Sequence, residues 1–303
     1  LFGPRRAVTV ARVKRFLRLL ACLLAVCVVP AARAQLSVFV RLERDTYLLY
    51  EAIPVVLSVR NYSSRDVELG GSAGRAWLDF VITDDRGALI GATGTAQADE
   101  PLVVPAGRTV ARKIDLVPLY DLRERGAFQV RARVDSGSTS VLSAVAKFSI
   151  VGGRELWREV TGIRQERENA SDAYRTYSLQ TRRAAQYDKL YVCVRDEQHD
   201  LVYGMIPLGA YVALGSPEAR VDGAGHLHVL FRAGPRTFGY VHVDPQAKIV
   251  NRAVYTDIKS APQLVSDDAG QVTVRGGDKK GPRRAKSEGE APSAGISAPP
   301  ATE

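Results

Sequence analysis

From residue 35 onward apolar and polar positions alternate with a period of two almost everywhere, and no stretch keeps helical periodicity over three turns. In LSVFVRLE, Leu36, Val38, Val40 and Leu42 share a face. In AIPVVLSVRN, Ile53, Val55, Leu57 and Val59 do the same, with Pro54 suited to a strand start or an edge. GAFQVRARVD turns Phe128, Val130, Ala132 and Val134 inward and Gln129, Arg131 and Arg133 outward, and AVAKFSIV buries Ala144, Ala146, Phe148 and Ile150. WLDFVITDDRGALI and RTVARKIDL add strand or hairpin signals. Seven or so short strands between residues 35 and 152, separated by Gly, Pro and Asp turns, predict a two-sheet sandwich in an all-β protein.

The motifs of this first unit carry a resemblance. RDTYLLYEAIPVVLSVRNYSSRDVEL resembles the opening of bacterial immunoglobulin-like and macroglobulin-like secreted sandwich domains. Tyr47, Glu51 and Asn61 stand where those domains read tyrosine, an acid in a short turn, and asparagine. LYDLRERGAFQV is similar to their later corner, with Phe128 where tyrosine is commoner. The resemblance covers residues 35–152 and implies a fold; it assigns no activity. The disulfide of antibody domains and its tryptophan partner are absent, and strand parity sets Trp77 on the face opposite Leu78, Phe80 and Ile82.

VGGRELW reads as a hinge at Gly152-Gly153, with a second antiparallel, hairpin-rich β unit over residues 153–277. Inside it VDGAGHLHV (221–229) aligns with SDDAGQVTV (266–274), and acidic turns recur at Asp196, Asp222, Asp244 and Asp267. A spacing near 22 residues is one hairpin. A closed propeller needs at least four blades, which residues 153–277 cannot supply, so a meandering sheet or a sandwich of hairpins is expected. KLYVCVRD is apolar on both faces and reads as a central, buried strand, in which Cys193 is a small hydrophobe. Residues 278–303 have almost no large apolar side chains and read as a disordered tail.

Charge changes the picture less than its sum suggests. The chain carries a formal +9, but residues 1–34 hold seven bases and no acid, which leaves residues 35–277 near neutral. No nucleic-acid partner is implied. Residues 1–34 themselves have the form of a signal peptide. A basic region ends at Arg18, an apolar run spans residues 19–29, Pro30 breaks it, and Ala32-Arg33-Ala34 offers a cleavage pattern before Gln35. The run is too short for a bilayer, which takes about 20 apolar residues. Cleavage at Cys22 as a lipoprotein would leave apolar sequence where a polar tether belongs, and Arg5-Arg6 lacks the twin-arginine surroundings. The expectation is an exported protein, periplasmic or extracellular, and not an integral membrane protein. After cleavage only Cys193 remains, so no internal disulfide can form.

Candidate chemistry is concentrated in GHLHVLFRAGPRTFGYVHV (225–243), which holds three of the four histidines. His226 and His228 share a face of their strand. A four-residue loop at Ala233-Gly234-Pro235-Arg236 pairs Arg232 with Thr237 and sets His242 away from both. That register also places Phe238, Tyr240 and His242 opposite Phe231, Val229 and Leu227, a face fit for burial. The histidines are therefore expected on a solvated face, with no metal or other cofactor. The alternative is a metal site of His226, His228 and Asp222 in a secreted hydrolase or accessory module. Asp84-Asp85-Arg86-Gly87, Asp222-Gly223-Ala224-Gly225 and Asp267-Asp268-Ala269-Gly270 lack the dense oxygen ligands of a calcium loop and read as hairpin turns. No G-x-S-x-G, H-E-x-x-H or phosphate-binding glycine loop occurs, and Glu51, Asp79 and Asp196 show no acid–base spacing. Eight of the twelve tyrosines fall in the second unit, where half-burial in strands accounts for them more readily than a stacking surface for sugars. The reading is an exported, non-catalytic binding or envelope-assembly protein whose partner is a protein or an envelope polysaccharide. A proteinase-inhibitor-like sandwich is a third possibility.

Overall fold

A computed structural model describes residues 35–70, 76–94, 101–137, 139–163, 173–184 and 186–280. The signal-peptide reading of residues 1–34 and most of the tail, residues 281–303, lie outside the described residues. Among those described, every element is a strand, and no helix is long and apolar enough to cross a membrane. The protein is all-β.

Ten strands make the first unit: β1 (Leu36–Leu42), β2 (Thr46–Leu48), β3 (Pro54–Asn61), β4 (Val67–Leu69), β5 (Leu78–Asp84), β6 (Leu102–Val104), β7 (Thr109–Asp115), β8 (Gly126–Asp135), β9 (Ser140–Leu142) and β10 (Ala146–Val151). One sheet runs β1-β3-β7, and the other runs β2-β10-β8-β5 with β9 on β8. The inward sets read from the alternation in β1, β3, β5 and β8 meet in a single core between these sheets. Two local expectations fail. Trp77 joins this core with Leu78, Phe80 and Ile82, because it precedes β5 and strand parity does not bind it. Gly70, at φ +93°, leaves the space its indole needs; a Cβ there would lie 2.5 Å from the ring. Ala144 is exposed, since β10 begins only at Ala146 and Ser143 is buried instead, accepting from the Ala132 N–H.

The second unit has eleven: β11 (Arg154–Ile163), β12 (Ala173–Arg183), β13 (Asp188–Asp196), β14 (Leu201–Tyr211), β15 (Glu218–Val221), β16 (Leu227–Gly234), β17 (Thr237–Val243), β18 (Ile249–Thr256), β19 (Gln263–Ser266), β20 (Val272–Arg275) and β21 (Asp278–Lys280). The meander β11-β12-β13-β14 packs across one core on the sheet β15-β16-β17-β18-β21. The β19-β20 hairpin covers the far face of that second sheet, burying Leu230, Phe238 and Tyr240 with Leu264 and Val272. Sheet β15–β18 is thus apolar on both faces near its centre. β21 corrects the tail boundary: residues 278–280 pair with β18 through backbone hydrogen bonds, which ask nothing of apolar side chains.

β13 is central, as its two apolar faces predict. Leu190, Val192 and Val194 enter the second core, while Tyr191 and Cys193 pack on Leu48 and Met205 in a small cluster joining the two units. Gly152 and Gly153 connect β10 to β11 in close quarters: a Cβ at Gly153 would meet Gln180 Oε1 at 2.7 Å, and one at Gly152 would meet Arg125 at 3.0 Å. Close approach, with no need for a positive φ, accounts for both glycines.

Candidate functional site

The strand register decides which residues the site contains. β16 and β17 pair His228 with His242, Val229 with Val241 and Phe231 with Gly239. The expected four-residue loop is absent. Gly234 pairs with Thr237 across a two-residue Pro235-Arg236 turn, and Ala233 is an extra, bulged residue before Arg232 pairs with Phe238. One bulged residue reverses the parity, so His226, His228 and His242 share a face. A hairpin with one solvated face would set them apart. With both faces covered, Phe238 and Tyr240 bury under β19-β20 and need not lie beside Phe231. Phe231 in turn fills the space that Gly239 leaves open opposite it.

Asp222 organises the cluster from a turn that the chain builds repeatedly. Its Oδ1 accepts the N–H groups of Ala224 and His226 at 2.9 and 2.8 Å. Asp84 does the same for Arg86 and Ala88, Asp244 for Gln246 and Lys248, and Asp267 for Ala269 and Gln271. In all four, the residue three after the aspartate has positive φ: Gly87, Gly225, Gly270 and, less usually, Ala247. The Asp-turn reading thus accounts for these loops, and the 45-residue repeat is a repeat of turns. The two repeat turns touch, the Gly223 N–H donating to Gly270 O at 3.2 Å.

Among these four turns, only at Asp222 does an imidazole reach the second oxygen. His228, 4% exposed, lies 3.0 Å from Asp222 Oδ2 through Nε2 and 2.8 Å from the Tyr240 hydroxyl through Nδ1. A neutral ring satisfies both by donating from Nε2 and accepting from the phenol. The His242 ring stacks on His228, with centroids 4.2 Å apart, and its Nε2 is 2.9 Å from His226 Nδ1. Burial tends to raise the Asp222 carboxyl, but hydrogen bonds from His228 and from the His226 and Ala224 N–H groups outweigh it and hold the group below the usual carboxylate range. Burial, then the neighbouring His228 and His226, push the His242 imidazole below its ordinary value. One donor atom each from Asp222, His228 and His242 lie within 4.8 Å of one another. The structure thus brings Asp222 and His228 of the alternative triad together with His242, and His226 joins them through its ring nitrogen on His242 and its backbone N–H on Asp222.

Two further features escaped the sequence. Arg175, on the apolar face of β12 with Tyr177 and Leu179, is 6% exposed. It donates to Pro245 O at 3.0 Å and Tyr174 O at 2.8 Å, sits 3.5 Å from Asp196 Oδ2, and stacks 3.9 Å over the Tyr203 ring. Its signal was a charge among inward positions. The second is a crevice of about 490 Å³ at the junction of the units, lined by Tyr50, Asp115, Arg123, Tyr203 and Met205 among others. Tyr50 holds φ at +69°, a left-handed conformation rare for a bulky residue. Glu51 fixes that turn, accepting the Leu48 N–H at 2.8 Å and the Arg44 guanidinium at 2.8 Å, and its backbone bridges to Met205 of β14. Burial pushes the Cys193 thiol up to about 11, which leaves little thiolate at neutral pH.

No family model matches the chain, and no curated protein matches it. Among solved structures, the sporulation control protein Spo0M from Bacillus subtilis is similar over 55% of this chain and 81% of its own, at 9% identity and a TM-score of 0.27. A likeness of that degree carries no argument about function.

Proposed function

We propose that this is an exported, non-catalytic binding protein of the periplasm or cell exterior, and that its partner, a protein or an envelope polysaccharide, sits in the crevice between two units, 35–152 and 153–277. The observation that carries this reading is the crevice itself, with Tyr50 held at φ +69° on its wall. Concave sites favour domain junctions, and a strained residue persists mainly where its surroundings over-determine it for a purpose such as a ligand clamp. Aromatic rings supply flat apolar area, and Asp115 and Arg123 supply polar contacts at the rim.

An immunoglobulin-like first unit fits the structural work its marker residues do. Tyr47 is buried; Asn61 is buried and donates to Arg65 O and Val104 O. Tyr120 pins the later corner, its hydroxyl accepting the Phe80 N–H and donating to Asp79. The alternative, a metal-dependent hydrolase, draws support from the convergence of Asp222 with the histidines. None of the four lines the crevice that carries the binding reading.

A photo-crosslinking amino acid at Tyr203, compared with one at exposed Phe39, tests the proposal in cells. Adducts confined to position 203 are expected, and their sensitivity to protease or glycosidase gives the partner class. Equal adducts at both positions, or none at 203, would overturn it.

A further inference from the structure

We propose that Asp222, His226, His228 and His242 form a binding site for one divalent first-row transition ion, with zinc the best fit. His228 lies on the Asp222 carboxylate, His242 stacks on His228, and His226 lies against His242; three nitrogens with one oxygen are a donor set that zinc takes in tetrahedral sites. The repeat supplies an internal comparison. The Asp267 turn has the same backbone hydrogen bonds with Gln271 and Thr273 in place of His226 and His228. The turn therefore needs its aspartate and has no need of imidazoles. What the imidazoles add is a set of donors around the oxygen that the turn leaves over.

The cluster is also prepared for an ion in its outer contacts. Asp222 spends Oδ1 on the turn and directs Oδ2 at His228. The Tyr240 hydroxyl can accept as readily as donate, so His228 can move its proton to Nδ1 and turn the Nε2 lone pair inward with no net loss of a proton. Tetrahedral zinc bonds of 2.0–2.1 Å set neighbouring donors about 3.3 Å apart. The His226–His242 and Asp222–His228 pairs stand at 2.9 and 3.0 Å, the donors of Asp222, His228 and His242 lie within 4.8 Å of one another, and the partly exposed His226 ring, outside that group, turns inward to complete the set. His242 moves most. Ring planes 16° apart cannot both aim a nitrogen at one ion, and His242, partly exposed, tilts out of its stack on His228.

Four protein donors make a closed site, which is the structural kind and leaves no position for a substrate. The ion would tie the 222–225 turn to both strands of the β16-β17 hairpin, beside the contact of Gly223 with Gly270 on the covering hairpin.

The test is a cobalt(II) titration of the untagged, chelator-treated protein spanning residues 35–303, followed by displacement with zinc and by melting curves. One equivalent of cobalt should give the intense visible absorption of four-coordinate cobalt, and zinc should abolish it. Zinc at 100 times its Kd should raise the melting temperature by at least about 5 °C. His226→Gln and His242→Gln, both at partly exposed positions, should fold and bind at least about tenfold more weakly, while Gln271→Ala and His199→Gln should bind as the parent does. No cobalt absorption and no zinc-dependent shift would show a hydrogen-bonded network only. Binding that survives in the His226→Gln, His242→Gln double variant would place the ion elsewhere. Either result overturns the proposal.

Discussion

Phe231 stands directly opposite Gly239 on the neighbouring strand, and its ring occupies the place a side chain at 239 would take. A Cβ at Gly239 would fall 2.5 Å from Phe231 Cζ, with two more ring carbons within 3.0 Å. The ring is buried in the second core, so making room for the methyl means repacking it. Gly239→Ala should destabilise the protein by about 1–3 kcal/mol through overpacking. Urea unfolding measures this, and a variant within about 0.5 kcal/mol of the parent would show that the pairing tolerates bulk.

Arg175 and Asp196 are both buried, their side chains 8% and 6% exposed. Arg175→Ala removes the guanidinium's bonds to Pro245 O and Tyr174 O and its stack on Tyr203, while Asp196 keeps its His199 and Gln198 donors, so it should cost about 1–3 kcal/mol. Replacing both, as Arg175→Met with Asp196→Asn, should recover much of the loss. A double variant no more stable than Arg175→Ala would mean that the guanidinium's bonds to Pro245 O and Tyr174 O matter more than its charge partner.

Asp196 gives the acid limb a defined sign. The hydrogen bond from the His199 ring is the largest influence on it; burial opposes, and the His199 and Gln198 N–H groups assist. The carboxyl ends below its ordinary value of 3.8. A depressed carboxyl stabilises the fold above its unfolded pKa, and that contribution disappears as pH falls through the folded value. From about pH 4 downward the parent should therefore lose stability more steeply than Asp196→Asn. Urea midpoints taken between pH 5 and 2.5 should diverge in that sense, and parallel curves would remove Asp196 from the account.

Exported protein should begin at Gln35, because Ala32-Arg33-Ala34 follows the apolar run directly. N-terminal sequencing decides it, and Ala34→Asp should block processing. A lipid-modified Cys22 at the mature end would replace the soluble reading with an anchored one.

Much of the fold was written in local pattern. Alternation in β1, β3 and β8 named the buried residues because a strand's in-and-out parity belongs to the strand itself. The two apolar faces of KLYVCVRD gave a central strand, and Asp-x-x-Gly gave turns whose carboxylate caps its own backbone. Each of these is settled within a dozen residues.

What crossed between strands was settled elsewhere. The parity of β16 against β17 depends on a bulge at Ala233, and the pattern of the hairpin gave no reason to place one. The bulge brings His242 to the other histidines, and what makes it acceptable is the burial of Phe238 and Tyr240 beneath β19-β20, a hairpin more than twenty residues farther along the chain. Arg175 found its carboxylate, and residues 278–280 found the edge of β18, by the same long-range means. The sequence by itself determined which residues turn together on one strand. The tertiary structure decided which strands' faces meet, because register is chosen by the packing on both sides of a sheet at once, and only the folded chain supplies the second side.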